Sequence, residues 1–166
     1  MPSKANEKGD KRLLNELLKL NEKEKQLVLE IPALITVMIG FAEKSNKSNI
    51  NWNEKIKLFS TQYKDTLIED YYERIIGDFL EIINELLDIL PEEIIERNKS
   101  ISERIAMLND IFDKINYKIA NELYKSFLKY AEYVMKASGG LLSLSKIHKE
   151  VEKWTKLEML NPPCEH

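Results

Sequence analysis

Apolar residues recur along this chain at spacings of three and four, and polar capping residues separate the apolar runs, which is the pattern of amphipathic helices. The longest run follows Asp65, read as an N-cap. Ile68, Tyr71, Tyr72, Ile75, Ile76, Phe79, Ile82, Ile83, Leu86, Leu87 and Leu90 trace one wide stripe that Pro91 ends. After Asn116, the residues Ile119, Ala120, Leu123, Phe127, Ala131 and Val134 share a second face, with Gly139-Gly140 as the stop. These two long helices are expected to pack together. Between them, Ser100 and Glu103 read as a capping box, and Ile101, Ile105, Leu108, Ile111, Phe112 and Ile115 form the buried face of a shorter helix.

The N-terminal part is more broken. A short helix carries Leu13, Leu14, Leu17 and Leu18; Asn21 with Glu24 forms a capping box, and Pro32 is read as the first turn of a further helix. That segment, Ile31 to Ala42, is apolar on nearly every side, so a central position wrapped by the two long helices is expected. No strand-like alternation stands out. The fold class is therefore all-α, a compact bundle of about seven to eight helices in one domain spanning 1–166, with 1–10 and 161–166 as flexible tails.

Composition narrows the function classes. The net charge of −3 hides a gradient, because residues 65–104 hold 12 acidic against 4 basic side chains. An acidic block of this kind argues against a nucleic-acid groove there. The single cysteine, Cys164, permits no disulfide within one chain and fits a reducing, cytoplasmic setting. The opening residues lack an apolar signal core, and the longest apolar stretch falls short of the roughly 20 residues that cross a bilayer, so no membrane insertion is expected. With two histidines and no phosphate-cradling glycine loop, the sequence points away from an enzyme. His148 and Glu150 are two positions apart and face different sides of a helix, and no Glu-x-x-His motif occurs. The tyrosines Tyr71, Tyr72, Tyr124, Tyr130 and Tyr133 lie on or beside the apolar stripes, where ring packing with the hydroxyl reaching the surface is expected.

Two loops interrupt the helices and resemble one another. The first, Glu43 to Asn49, leads into Asn51-Trp-Asn-Glu54, a capping box opening a helix with Trp52, Ile56 and Phe59. The second, Ala137 to Ser145, leads into a helix with Ile147, Val151 and Trp154. Helix, special loop, and short helix bearing a tryptophan read as a pseudo-twofold repeat.

The residues Ile39-Gly-Phe-Ala42 with Ile50-Asn-Trp-Asn-Glu54 resemble a degenerate form of the motif A-D-G-x-I-x-x-x-E of the TerB-like tellurite-resistance family. Ala137-Ser-Gly-Gly-Leu141 with Ile147 and Glu150 is similar to that family's second loop. The resemblance implies a cytoplasmic helical bundle of two pseudo-symmetric halves, linked to stress or metal responses, with divalent cations held by acidic loop residues. Glu43-Lys44 stands where the family pattern has Asp-Gly. A hard cation takes six or more oxygens, so a site here is expected to be shared across both loops by Glu43, Glu54 and Glu150. The structural alternative keeps Glu54 as a capping carboxylate and Glu150 in a first helical turn. Leu141, Leu142 and Leu144 suggest an interaction surface for a protein partner or a second copy. Two functions follow: a non-enzymatic interaction or stress-response module, and a divalent-cation-binding protein.

Overall fold

A computed structural model describes residues 12–42, 50–138 and 153–165. Among these residues the regular structure is all helical, with no strand. Helices α1 (Arg12–Leu17), α2 (Glu22–Ile35), α3 (Trp52–Ser60), α4 (Glu69–Ile89), α5 (Ile94–Ala106), α6 (Leu108–Phe112) and α7 (Tyr117–Ala137) follow in order. A π-turn, Thr36–Gly40, prolongs α2, and a 3-10 turn, Thr61–Tyr63, prolongs α3.

Local chemistry sets several of these boundaries as the sequence suggests. Asn21 accepts the Glu24 backbone N–H at 2.9 Å while Glu24 accepts that of Asn21 at 3.0 Å, a reciprocal box that opens α2. Asn116 accepts from the N–H groups of Lys118 and Ile119 at the start of α7. Leu90 turns to an extended conformation ahead of Pro91, which ends α4.

Every residue from Ile31 to Ala42 is buried, and this segment packs against both long helices, α4 and α7, as its all-round apolarity requires. The long helices meet each other through side chains: the Tyr71 and Phe127 rings lie 5.9 Å apart, and Tyr72 Oη donates to Ser126 Oγ at 2.8 Å.

Four expectations are corrected. Pro32 starts no helix; it lies inside α2, which runs on through it. Proline brings no N–H to that turn, and the Val28 carbonyl four residues back accepts the Tyr71 hydroxyl at 2.6 Å. Asp65 is no N-cap, because it sits in a turn at φ 64° and Ile68 takes the cap position. The Ser100–Glu103 pair lies inside α5, which begins earlier because the Glu93 carboxylate accepts the N–H groups of Ile95 and Glu96 at 3.1 and 2.7 Å. The short first helix stops at Leu17, leaving Leu18 71% exposed in the following turn. The Gly139-Gly140 stop and the paired loops of the proposed repeat lie outside the described residues.

Candidate functional site

Several chemistry-bearing side chains of the interior serve the fold. Phe59 sits among the rings of Tyr63, Tyr72, Tyr130 and Tyr133 at centroid distances of 5.5, 5.8, 5.0 and 5.3 Å. The hydroxyls of Tyr71, Tyr72 and Tyr130 do not reach the surface as expected; all three side chains are buried. Thr36 Oγ1 donates to the Pro32 carbonyl at 2.8 Å, which leaves Tyr130 Oη to donate to Thr36 at 2.7 Å. Ser126 in turn passes the Tyr72 bond on to the Leu123 carbonyl. Burial raises all three phenol pKa values well above the ordinary range, so these groups stay neutral donors. Tyr63 is pushed up to about 12, first by burial and then by the Glu122 carboxylate.

The π-turn leaves carbonyls at its end that need donors. Arg97, only 4% exposed, supplies its Nη2 to the carbonyls of Phe41 at 2.8 Å and Val37 at 3.3 Å. Asn98 adds Nδ2 to the Met38 carbonyl at 3.0 Å. A cation here also faces the negative end of the helix dipole. Burial pulls the guanidinium pKa down, opposed by the Glu93 carboxylate. The sequence gives no local sign that two polar residues of α5 are buried, since their acceptors come from a segment about 60 residues away.

Turning Arg97 and Asn98 inward directs the opposite face of α5 to solvent. Ile95, Lys99 and Ser102 of that face form one wall of a cavity of about 360 Å³, and Lys153, Trp154, Glu158 and Met159 of the C-terminal segment contribute the other. That segment is held by Asn109, whose Nδ2 donates to the Met159 carbonyl and whose Oδ1 accepts the Asn161 N–H, both at 2.9 Å. Trp154, Leu157 and Leu160 are buried beneath. Ile95 is 45% exposed and Met107, at the end of the same helix, 61%. A few hundred Å³ with an aromatic floor and charged rim is the size and character of a small ligand or side-chain pocket.

Of the residues proposed from sequence, Glu54 is described. It is exposed in the first turn of α3, and its backbone N–H is held by Asn51 Oδ1 at 3.1 Å. Glu43, Glu150, Leu141, Leu142, Leu144 and His148 lie outside the described residues, as do most of both special loops. Among the described residues no three His, Cys, Asp or Glu side chains are grouped as metal ligands, and Cys164 is exposed with a free thiol. No helix among them is long and apolar enough to cross a membrane.

The chain matches no family model, no curated protein and no solved structure.

Proposed function

We propose that this chain is a non-enzymatic, cytoplasmic protein-interaction module of the TerB-like type, which docks a partner on the outer face of α5 and in the groove beside it. The supporting observation is that groove: a cavity of about 360 Å³ with Ile95, Trp154 and Met159 as apolar lining, flanked by Lys99, Lys153 and Glu158. Apolar side chains held half-exposed at a concave site gain by being covered, and aromatic pockets of this kind anchor partner side chains. Thr36, Arg97, Asn98, Ser126 and the hydroxyls of Tyr71, Tyr72 and Tyr130 are engaged by backbone and neighbouring side chains, which fits a scaffold role for the interior. The stress-response setting belongs to the same reading through the family resemblance.

The test is panning of a displayed peptide library against the full chain, with binding sites mapped by amide chemical shifts. Selected peptides are expected to shift resonances of Ile95, Lys99 and Trp154, and Ile95→Glu is expected to abolish binding while leaving thermal unfolding unchanged. Peptides that bind Ile95→Glu as well as the parent would refute the reading.

A further inference from the structure

We propose that the Met159 thioether is an oxidation site through which a hydroperoxide weakens docking in the groove, an inference that rests on the docking reading above. Four methionines lie among the described residues, and their surroundings differ. Met38 is fully buried, and its Sδ accepts Ser102 Oγ at 3.9 Å. Met135 is half-buried on α7, and its Sδ accepts Thr155 Oγ1 at 3.6 Å. Met107 is 61% exposed but stands outside the groove lining. Met159 is half-buried against the core and lines the cavity, and among the described residues no donor is bonded to its sulfur.

The cavity of about 360 Å³ admits a small oxidant without any opening of the fold, since hydrogen peroxide takes about 60 Å³, twice the share of one water. The sulfur lone pair attacks one peroxide oxygen and the O–O bond breaks. The departing hydroxide collects the proton left on the transferred oxygen and leaves as water. Sulfur gives up the two electrons that reduce the peroxide, and the product is a sulfoxide.

That product places a strong S–O dipole among the apolar side chains of Ile95 and Trp154. Asn109 holds the Met159 carbonyl and the Asn161 N–H, both at 2.9 Å, so the backbone on either side is pinned and the oxidised side chain stays at the groove. The sulfoxide oxygen binds water that an apolar partner side chain must strip before it can settle there. Oxidation of Met107 changes nothing in the lining.

The test treats the full chain with hydrogen peroxide in a Cys164→Ser background, because the exposed Cys164 thiol also reacts with peroxide. After quenching, the readouts are the affinity of a groove-binding library peptide free of Met, Cys and Trp, and the mass of each methionine-bearing fragment. Met159 and Met107 are expected to gain oxygen ahead of Met38 and Met135. The peptide dissociation constant is expected to rise about tenfold or more in step with Met159, and methionine sulfoxide reductase is expected to restore it. Met107→Leu is expected to keep the response. Met159→Leu conserves volume and is expected to bind the peptide within about threefold of the parent, with or without peroxide. Circular dichroism is expected to be the same for all samples. A Met159 that stays reduced while Met107 converts fully, an oxidised Met159 with unchanged affinity, or equal loss of binding in Met159→Leu overturns the inference and leaves the docking reading standing. If no peptide binds the groove of the untreated chain, the docking reading falls and its redox control with it.

Discussion

Tyr71 donates its hydroxyl to the Val28 carbonyl at 2.6 Å, and this bond replaces the one that Pro32 cannot make. An interior proline ordinarily costs a helix about 3 kcal/mol, partly through the orphaned carbonyl one turn back. Here the orphan is buried and is met from a helix 43 residues further along the chain.

Tyr71→Phe is therefore expected to destabilise the fold by about 1–3 kcal/mol, the range for a buried acceptor left without a donor. Pro32→Ala returns a backbone N–H to the turn. In that background the loss on removing the Tyr71 hydroxyl is expected to shrink to under about 1 kcal/mol, as a double-mutant cycle in urea reports. Equal losses in both backgrounds would mean that the hydroxyl does not substitute for the missing amide.

The buried end of the π-turn gives a second prediction. Arg97→Ala strands the Phe41 carbonyl in the interior, leaves the Val37 carbonyl with the Phe41 N–H alone, and is expected to cost about 1–3 kcal/mol, whereas Lys99→Ala, two positions on and exposed, is expected to stay within about 0.5 kcal/mol. Chemical denaturation with matched slopes checks the contrast.

Two glycines are expected to respond with opposite signs. A Cβ on Gly40 would come within 2.6 Å of the Trp52 ring, so Gly40→Ala is expected to lower the unfolding free energy by about 1–3 kcal/mol. Gly77 lies exposed inside α4 with nothing within 4 Å of its Cβ position, and Gly77→Ala is expected to raise the free energy by about 0.5–1 kcal/mol. Thermal unfolding of the two variants distinguishes them directly.

Asp70 is 4% exposed and accepts the Leu14 N–H at 2.8 Å, fastening α1 to α4. Burial raises its carboxyl pKa, with the backbone N–H groups of Leu14 and Leu13 opposing. The folded state thus holds this proton more tightly than the unfolded state. Its contribution is full below the unfolded carboxylate pKa and declines as pH rises through the folded value. Glu24 and Glu93 have lowered values and contribute with the opposite sign. The measurement is accordingly the difference between parent and Asp70→Asn across the acid range, and the variant is expected to gain on the parent as pH rises. A difference that is flat or of reversed slope would contradict the assignment.

These residues also mark where sequence is readable and where it is not. The stripes of α4 and α7, the caps at Asn21 and Asn116 and the all-round apolarity of Ile31–Ala42 are local patterns, and each appears in the fold as its spacing implies. Pro32 misleads because the group that rescues its turn, Tyr71, is distant in sequence. Ser100 misleads because a capping motif carries no record of the better cap at Glu93 upstream. The inward turn of Arg97 and Asn98 depends on carbonyls delivered by the π-turn, and the groove depends on Asn109 drawing residues 159–161 against α5 and α6. Neither is written in the periodicity of α5 itself. The carboxylates Glu43 and Glu150 lie outside the described residues.

The central claim is that the outer face of α5 is the surface this protein uses, and amide chemical shifts of the full chain titrated with its library-selected peptides test it most directly. The account predicts progressive shifts concentrated at Ile95, Lys99, Ser102, Glu103 and Met107 and along residues 153–159. Peptide-dependent shifts centred elsewhere, such as the exposed face of α4 around Gly77 and Leu80, with α5 unmoved, would contradict it.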